Sequence, residues 1–321
     1  MRRRGLLAAA GCWGLLREGH AQAAWPARPI TLVVPFASGG IADITARTVA
    51  QAMARTLGQA IVVDNRPSAG SVVGSNAVAR AAGDGYTLLL MSNANAVSPG
   101  LFRKLPFDVV KDFAPITTLG FFDLGIFVAG DSRFRTLKDV LASAKAQPGR
   151  ITIGSISAGS TQHLSAELFK AKAGIDVLIV PYKGTPAVLT ALRAGEIDVA
   201  FEILGPMLPQ AAAKVVRLLA VTSDRRYAGL PDVPTVIEAG VPGYAVASWN
   251  ALAAPAATPP AVIERLNRAA AEALARPDVQ QRLQELGVRV QAGSPKQLAS
   301  LLASEIRRWG EVIRVAKIEP E

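Results

Sequence analysis

The stretch of residues 33–47 constrains the fold more than any other part of the chain, and it reads V-V-P-F-A-S-G-G-I-A-D-I-T-A-R. An apolar run typical of a strand enters a turn rich in proline, serine and glycine, and a helical pattern follows at once. Gly39 and Gly40 lie where this helix is predicted to begin, so bare backbone N–H groups and the positive end of the helix dipole are open to an anion. The sequence therefore predicts a strand–loop–helix unit that can bind an anionic group.

A second junction of the same kind lies further along the chain, at residues 151–169. It reads I-T-I-G-S-I-S-A-G-S-T-Q-H-L-S-A-E-L-F, so a strand pattern again runs through a turn of small residues into a helical pattern. Two helix starts suited to anions, in two halves of one chain, predict a cleft that holds a small carboxylate.

Strand and helix patterns alternate along most of the chain. The predicted strands are residues 30–34, 61–63, 86–91, 113–119, 124–129, 151–156, 177–180, 199–202, 218–222 and 251–254. The predicted helices are residues 41–57, 70–82, 137–146, 161–173, 186–194, 261–275, 278–286 and 295–315, and the polar residues 92–95 predict a turn. This alternation predicts an α/β fold with mostly parallel sheets, in which ligands bind at the carboxyl ends of the strands.

The two halves of the chain are similar in pattern, and a helical block follows them. That block has too little strand pattern to form a further sheet, so we expect it to pack back on the first half. The chain then crosses between two lobes twice, near residues 124–129 and 249–254, which makes a hinge. The predicted lobes are residues 24–125 plus 248–321 and residues 126–247.

The N-terminus has the order of a secretory signal peptide. Three arginines at residues 2–4 precede a mostly apolar stretch at 6–16, and A-Q-A follows at 21–23. This pattern predicts cleavage after Ala23 and a periplasmic protein, since the apolar stretch is too short to span a bilayer. A lipoprotein reading at Cys12 is the alternative, but Ala9 stands where a larger aliphatic residue is usual.

Cleavage would leave 298 residues, enough for two domains, and would lower the formal net charge from +10 to +7. The single cysteine, Cys12, would be removed, so disulfide and thiol chemistry are excluded. His163 would be the only histidine left. With no G-x-S-x-G, Walker or G-x-G-x-x-G motif, the sequence predicts neither an enzyme nor a cofactor or metal site.

The basic balance does not indicate nucleic-acid binding. Positive residues are dispersed along amphipathic patterns and stand beside acids, as in E-I-R-R at 305–308. A solvated helix face explains this arrangement better than a nucleic-acid groove. The expected partners are a small carboxylate solute and membrane transporter subunits, and a monomer is expected.

Motifs along the whole mature chain resemble one protein family. They are P-F-x-x-G-G-x-x-D-x-x-A-R at 35–47, N-R-P-x-A-G at 65–70, G-S-x-x-H-L-x-x-E-x-F at 159–169, P-Y-K-G at 181–184, L-x-x-G-x-I-D at 192–198, L-P-D-V-P-T at 230–235, Trp249, and A-P-A-x-T-P at 254–259. Their order resembles that of the Bug-type extracytoplasmic solute receptors, which are related to the tripartite tricarboxylate transporters. The resemblance implies a type II periplasmic-binding-protein fold and the uptake or sensing of small carboxylates.

The resemblance and the two junctions together give a set of candidate ligand-binding residues. They are Phe36, Ala37, Ser38, Gly39, Gly40, Asp43, Ser92, Asn93, Ser157, Ala158, Gly159, Ser160, His163, Tyr182, Lys183, Gly184 and Glu202. Ser38 and Glu202 depart from the family pattern, which usually has proline and aspartate or a smaller polar residue there. If Glu202 faces the cleft, it disfavours a second carboxylate and favours a neutral or cationic group on the ligand; if it points elsewhere, dicarboxylates are candidates again.

Several of these residues have a purely structural alternative. Asp43 is suited to a helix N-terminus, where it interacts with the dipole, as well as to a ligand contact. Ser157 and Ser160 are suited to capping the helix that begins near residue 161. His163 is better explained as a structural hydrogen-bonding residue than as a catalyst, and Tyr182 as either cleft wall or core.

Two other functional classes fit an α/β chain of this kind. A ligand-sensing effector domain of a transcription regulator can share the fold, but a secretory signal stands where its DNA-binding helices would be. A secreted hydrolase is disfavoured by the missing nucleophile motif and the single remaining histidine.

Overall fold

The computed structural model describes residues 25–156 and 160–320, and the predicted signal peptide lies outside them. The strands of the described residues are β1 (Ile30–Val34), β2 (Ile61–Asn65), β3 (Thr87–Ser92), β4 (Phe113–Ala129), β5 (Thr152–Ile156), β6 (Leu178–Tyr182), β7 (Val199–Ile203), β8 (Val216–Val221), β9 (Ala247–Pro255) and β10 (Val288–Val290). Their helices are α1 (Ile41–Leu57), α2 (Val72–Ala79), α3 (Asn93–Leu101), α4 (Leu137–Ala146), α5 (Thr161–Ala173), α6 (Thr185–Arg193), α7 (Leu204–Ala212), α8 (Pro260–Ala275), α9 (Pro277–Glu285) and α10 (Pro295–Val315). The predicted α/β class is confirmed.

Each half of the molecule has its own group of parallel strands. In the first half β1 pairs in parallel with β2 and β3, and in the second half β5 pairs in parallel with β6 and β7. Antiparallel strands connect the two groups, because β9 lies between β3 and β4. The carboxyl ends of β1 and β3 therefore lie on one side of this connection and those of β5, β6 and β7 on the other.

The 17-residue strand β4 runs through both halves. Up to Asp123 it pairs with β9, and from Leu124 onward it pairs with β7 and β8. The sequence predicts two separate strands here, at 113–119 and 124–129, and that prediction is wrong. Gly120 is typical of a strand end, but here the strand continues through it because β10 pairs on one side of Gly120 and β9 on the other.

Helix α1 shows why these residues fold as they do. Its buried side chains recur at helical spacing along one stripe, at Ala46, Val49, Ala50, Met53 and Leu57. The stripe packs on the inward-facing residues of β1 and on α8. The C-terminal helix α10 packs on α3 and β4, so the predicted return of the helical block to the first half is confirmed.

Three local elements differ from the sequence-based expectations. The predicted turn at 92–95 is the start of α3, where Ser92 caps the helix and Asn95 completes a capping box. The sequence pattern does not predict helix α7, in which Pro206 lies in the first turn, where a proline ring is tolerated, while Pro209 lies inside the helix. The three-residue strand β10 was too short to give a pattern. Within the described residues no helix is both long and apolar enough to cross a membrane.

Candidate functional site

The strand register of the first half places four residues, from four neighbouring segments, at the same height along the sheet. Ser92 at the end of β3 pairs with Asn250 of β9, and Asn250 pairs with Gly120 of β4. Val33 of β1 pairs with Leu89, so the chain leaving β1 reaches this level at Phe36. The loop before α1 and the start of α3 thus open at the same edge of the sheet, which is where α/β folds bind ligands.

The loop at residues 36–40 is held in shape by Asp43. The Gly39 N–H donates to Asp43 Oδ2 over 2.8 Å, and Asn65 Nδ2 donates to Asp43 Oδ1 over 2.9 Å and to the Phe36 carbonyl over 3.0 Å. Arg47 Nε lies 3.0 Å from Asp43 Oδ1. Burial raises the pKa of Asp43, but hydrogen bonds from Arg47, Gly39 and Asn65 outweigh burial and hold the pKa below its ordinary value. Asp43 is ionised, and its oxygens are occupied by Gly39, Asn65 and Arg47.

Two helices at the site begin at a glycine. Gly40 is the N-cap of α1 and Gly184 is the N-cap of α6, and glycine has no side chain to accept from the first-turn N–H groups. Gly39 needs its glycine for conformational reasons, because its φ is +82°. A Cβ on Gly40 would meet nothing closer than the Ala37 carbonyl oxygen at 3.7 Å, so the space in front of α1 is open.

Helix α5 begins differently, with a serine cap. Ser160 Oγ accepts from the His163 N–H over 3.1 Å and donates to the Ile156 carbonyl over 2.6 Å. His163 is buried, which lowers its pKa, and its Nε2 lies 3.8 Å from Glu167 Oε1. The imidazole is therefore neutral at neutral pH. The predicted site residues Ser157, Ala158 and Gly159 lie outside the described residues.

Asn93 joins the two halves across the site. Its Nδ2 donates to Thr161 Oγ1 at the start of α5 over 2.9 Å, and its Oδ1 accepts from Trp309 Nε1 over 2.8 Å. Thr161 Oγ1 also lies 3.4 Å from Ser248 Oγ of β9. The first turns of α3 and α5 are thereby brought together.

Glu202 of β7 lies between the starts of α5 and α6. Its Oε2 accepts from Thr185 Oγ1 over 2.9 Å and from Gln162 Nε2 over 3.4 Å, and Oε1 has no hydrogen-bond partner among the described residues. Burial raises the pKa of Glu202 to about 7, against the opposing effect of hydrogen bonds from Thr185, Gln162 and the Ile203 backbone. A neutral-pH preparation therefore holds both protonation states of this carboxyl.

The predicted site residues of the motif at 181–184 are less buried than Glu202. Tyr182 ends β6 and is half-buried, and burial followed by the charge of Glu196 raises its pKa. Lys183 is exposed. Ala37 and Ser38 are also exposed, in the loop before α1.

Sequence reasoning missed the polar residues that link the predicted ones. Thr161, Gln162, Thr185 and Ser248 each bond to a predicted site residue or to one another, and the side-chain amide of Asn250 lies at the same edge of the sheet. Helix-start positions 161, 162 and 185 were within reach of the capping argument, but Ser248 and Asn250 lie in a strand and carry no such signal. No group of metal-ligating side chains occurs in the part of the chain that the structure describes.

Comparison with known proteins gives consistent matches. The sequence profile of the "Tripartite tricarboxylate transporter family receptor" family matches residues 45–318. The chain is 39% identical over 291 residues to the UPF0065 protein of the tcbD-tcbE intergenic region of Pseudomonas sp. strain P51, covering 90% of this chain and 87% of that one. It is 35% identical over 292 residues to BugT of Bordetella pertussis, covering 90% of both.

Solved structures match the fold closely. The R. palustris protein Rpa4515 with adipate has a TM-score of 0.83 and 34% identity, covering 92% of this chain and 100% of that one. MatC from Rhodopseudomonas palustris with bound malate has a TM-score of 0.78 and 33% identity, covering 90% and 100%. The periplasmic binding protein BugD has a TM-score of 0.80 and 31% identity, covering 92% and 100%.

Proposed function

The chain belongs to the tripartite tricarboxylate transporter receptor family, a family of solute-binding receptors with a two-lobed α/β fold, and on that premise we propose that it captures one small carboxylate between its lobes. The observation that carries the proposal is the start of α1, where an uncapped helix N-terminus follows a loop that Asp43 and Asn65 hold in shape. Such a terminus attracts an anion through its N–H groups and its dipole. The neighbours that hold adipate and malate support the carboxylate as ligand class.

The carboxylate is placed between backbone N–H groups of the loop at 36–40 and the loop before α5. The Asn93–Thr161 contact supports this placement, because it brings the start of α5 to the edge of the sheet at which the loop before α1 opens. Asp43, Asn93 and Ser160 act by positioning these loops. Lys183 and Gly184 lie between β6 and α6, beside Thr185, which shares Glu202 with Gln162 of α5.

Replacement of Gly40 by aspartate tests this placement. Gly40 has φ −79° and open space around its Cβ position, so Gly40→Asp is expected to fold normally while its carboxylate occupies the anion site and abolishes binding. Gly310→Asp on α10 is the matched control, since a Cβ there meets nothing within 4 Å and the charge change is the same. Calorimetry that finds wild-type affinity in Gly40→Asp would refute the placement.

Glu202 restricts which chemical groups the ligand can carry besides its carboxylate. Its unpartnered Oε1 accepts a hydrogen bond when the carboxyl is ionised, and an ionised Glu202 repels a second carboxylate. We therefore infer an amino acid, an amide-bearing acid or an aromatic monocarboxylate rather than citrate. A thermal-shift screen across mono-, di- and tricarboxylates and amino acids tests this, because a ligand at 100 times its Kd stabilises the fold by roughly 2.7 kcal/mol. Stabilisation by citrate without any by monocarboxylates or amino acids would overturn the Glu202 argument.

The lobes are proposed as residues 24–125 plus 248–321 and residues 126–247. The change of partner of β4 after Asp123 and the start of β9 at Ala247 support these bounds. Cleavage after Ala23, a periplasmic location for this chain and delivery to a membrane transporter belong to the same proposal. Cell fractionation, with N-terminal sequencing of the mature protein, tests the first two, and a cytoplasmic protein that keeps its N-terminus would contradict both.

A further inference from the structure

Asn250 is a buried asparagine whose side-chain amide is unused. The residue is only 2% exposed, and neither Nδ2 nor Oδ1 has a hydrogen-bond partner in the described parts of the chain. Buried amides almost always have partners, and each exception calls for a physical explanation. Two unpaired polar atoms on one buried side chain indicate that a partner is supplied from outside the described residues.

The position of Asn250 connects it with the ligand cleft. It pairs with Ser92, the cap of α3, and with Gly120, whose position is covered by Val288 and Arg289 of β10. Side chains two residues apart on a strand point to one face, so Asn250 shares a face with Ser248. Ser248 Oγ lies 3.4 Å from Thr161 at the start of α5. The amide therefore belongs to the sheet edge that forms the floor of the cleft.

Other buried asparagines nearby show that an unpaired amide is not the rule in this region. Asn95 donates to Ser75 Oγ over 2.8 Å and accepts from the Ser92 N–H over 3.0 Å. Asn93 is likewise paired on both atoms, with Thr161 and Trp309. The side-chain amides of Asn93 and Asn95 are thus fully hydrogen-bonded within the protein, whereas that of Asn250 is not.

We propose that Asn250 is a further ligand-binding residue and that it selects carboxylates that also carry a hydroxyl or another hydrogen-bond donor. An amide both donates and accepts, so a bare carboxylate satisfies Nδ2 and leaves Oδ1 without a donor. A hydroxyl beside the carboxylate supplies that donor. The inference rests on the proposed function and specifies the ligand class of the same cleft.

The unliganded protein and the liganded protein give opposite expectations for one variant. Both amide atoms are closed off from solvent in the described arrangement of the lobes, so binding at Asn250 requires the cleft to open. Without ligand, Asn250→Leu removes an unpaired polar group and fills the same volume, so we expect its Tm to rise by about 2 °C or more. With ligand, the same change removes a binding contact and lowers affinity.

Lactate and propionate, which each carry a single carboxylate and differ by one hydroxyl, are the probe pair. We expect the wild type to bind the hydroxyl-bearing member of the pair at least about tenfold more tightly in calorimetry, and Asn250→Leu to lose that preference. Asn95→Leu is the matched control, and its Tm should fall because both partners of a paired amide are left unsatisfied. Asn250→Ala should lose the same preference, so that the result does not depend on how leucine packs.

The outcomes separate this inference from the proposed function. Binding of carboxylates with an unchanged preference in both Asn250 variants, or a Tm of Asn250→Leu that falls as far as that of Asn95→Leu, overturns the role of Asn250 alone. Failure of the wild type to bind any carboxylate overturns the receptor function and the inference with it.

Discussion

At the scale of single residues, Glu202 is a carboxyl group whose surroundings differ strongly from those of a free side chain. It is fully buried, one oxygen is bonded by Thr185 and Gln162, and the other has no partner among the described residues. Its pKa is raised from 4.5 to about 7 because burial penalises the charged form. The folded protein therefore keeps this proton over a pH range in which the unfolded chain has lost it.

This difference predicts a pH-dependent loss of stability. Between about pH 4.5 and pH 7 the unfolded state binds fewer protons at this site, so the free energy of unfolding falls as pH rises and levels off above pH 7. The full contribution is on the order of 3 kcal/mol. In urea titrations at pH 4.5 and pH 8, Glu202→Gln should lose this part of the decline. The exposed Glu285→Gln is the control, and curves for wild type and Glu202→Gln that stay parallel would contradict the prediction.

At the scale of elements, the loop between β1 and α1 depends on one carboxylate for its shape. Asp43 receives hydrogen bonds from the Gly39 backbone and from Asn65. An asparagine or alanine at residue 43 leaves the Gly39 N–H without a charged acceptor. The anion-binding N–H groups of the loop then lose their fixed direction, although the carboxylate itself need not touch a ligand.

Asp43→Ala is therefore expected to weaken ligand binding about tenfold and to lower the free energy of unfolding by about 1–3 kcal/mol, as is usual when a buried charged hydrogen bond is lost. Calorimetry and urea denaturation measure the two effects. Asp64→Ala is the control, because Asp64 bonds to Arg66 at the surface beyond the loop. A full-strength binding isotherm for Asp43→Ala would show that the loop keeps its shape without this carboxylate.

The elements differ in how far the sequence determines them. Helix α1 was predicted with its observed bounds, because its apolar stripe and its glycine start are local signals. Helix α3 was missed because its capping box of Ser92 and Asn95 is made of the same residue types as a turn. The unpaired state of Asn250 depends on strands distant in sequence, and the partners of Glu202 lie at two helix starts distant from it in sequence, so no local pattern links them.

At the scale of the whole molecule, the family fold and the crossing of β4 and β9 between the halves support the proposal that the lobes move about a shared hinge. The two-lobed division was predictable because each half of the chain begins with the same pattern of strand, turn of small residues and helix. The exact partners of β4 were not predictable from the sequence. The antiparallel pairing of this one strand with β9, β7 and β8 is decided by packing across the whole sheet.

Ligand binding is expected to make the molecule more compact. Small-angle scattering at saturating ligand should give a smaller radius of gyration than without ligand, because the carboxylate contacts groups from both lobes. The Gly40→Asp variant supplies the control, and its profile should not respond to the same solute. Superimposable wild-type profiles with and without a bound ligand would indicate a rigid cleft.

The shared strand β4 also has a consequence for how the protein unfolds. Because the first part of this strand completes the sheet of one lobe and the second part completes the other, neither lobe has a full set of ladder partners when its neighbour is lost. We therefore expect the two lobes to unfold as one cooperative unit, even though the proposed hinge lets them move separately. Calorimetry should show a single cooperative heat-absorption peak whose van't Hoff enthalpy matches the total heat, which is unusual for a chain large enough to hold two domains.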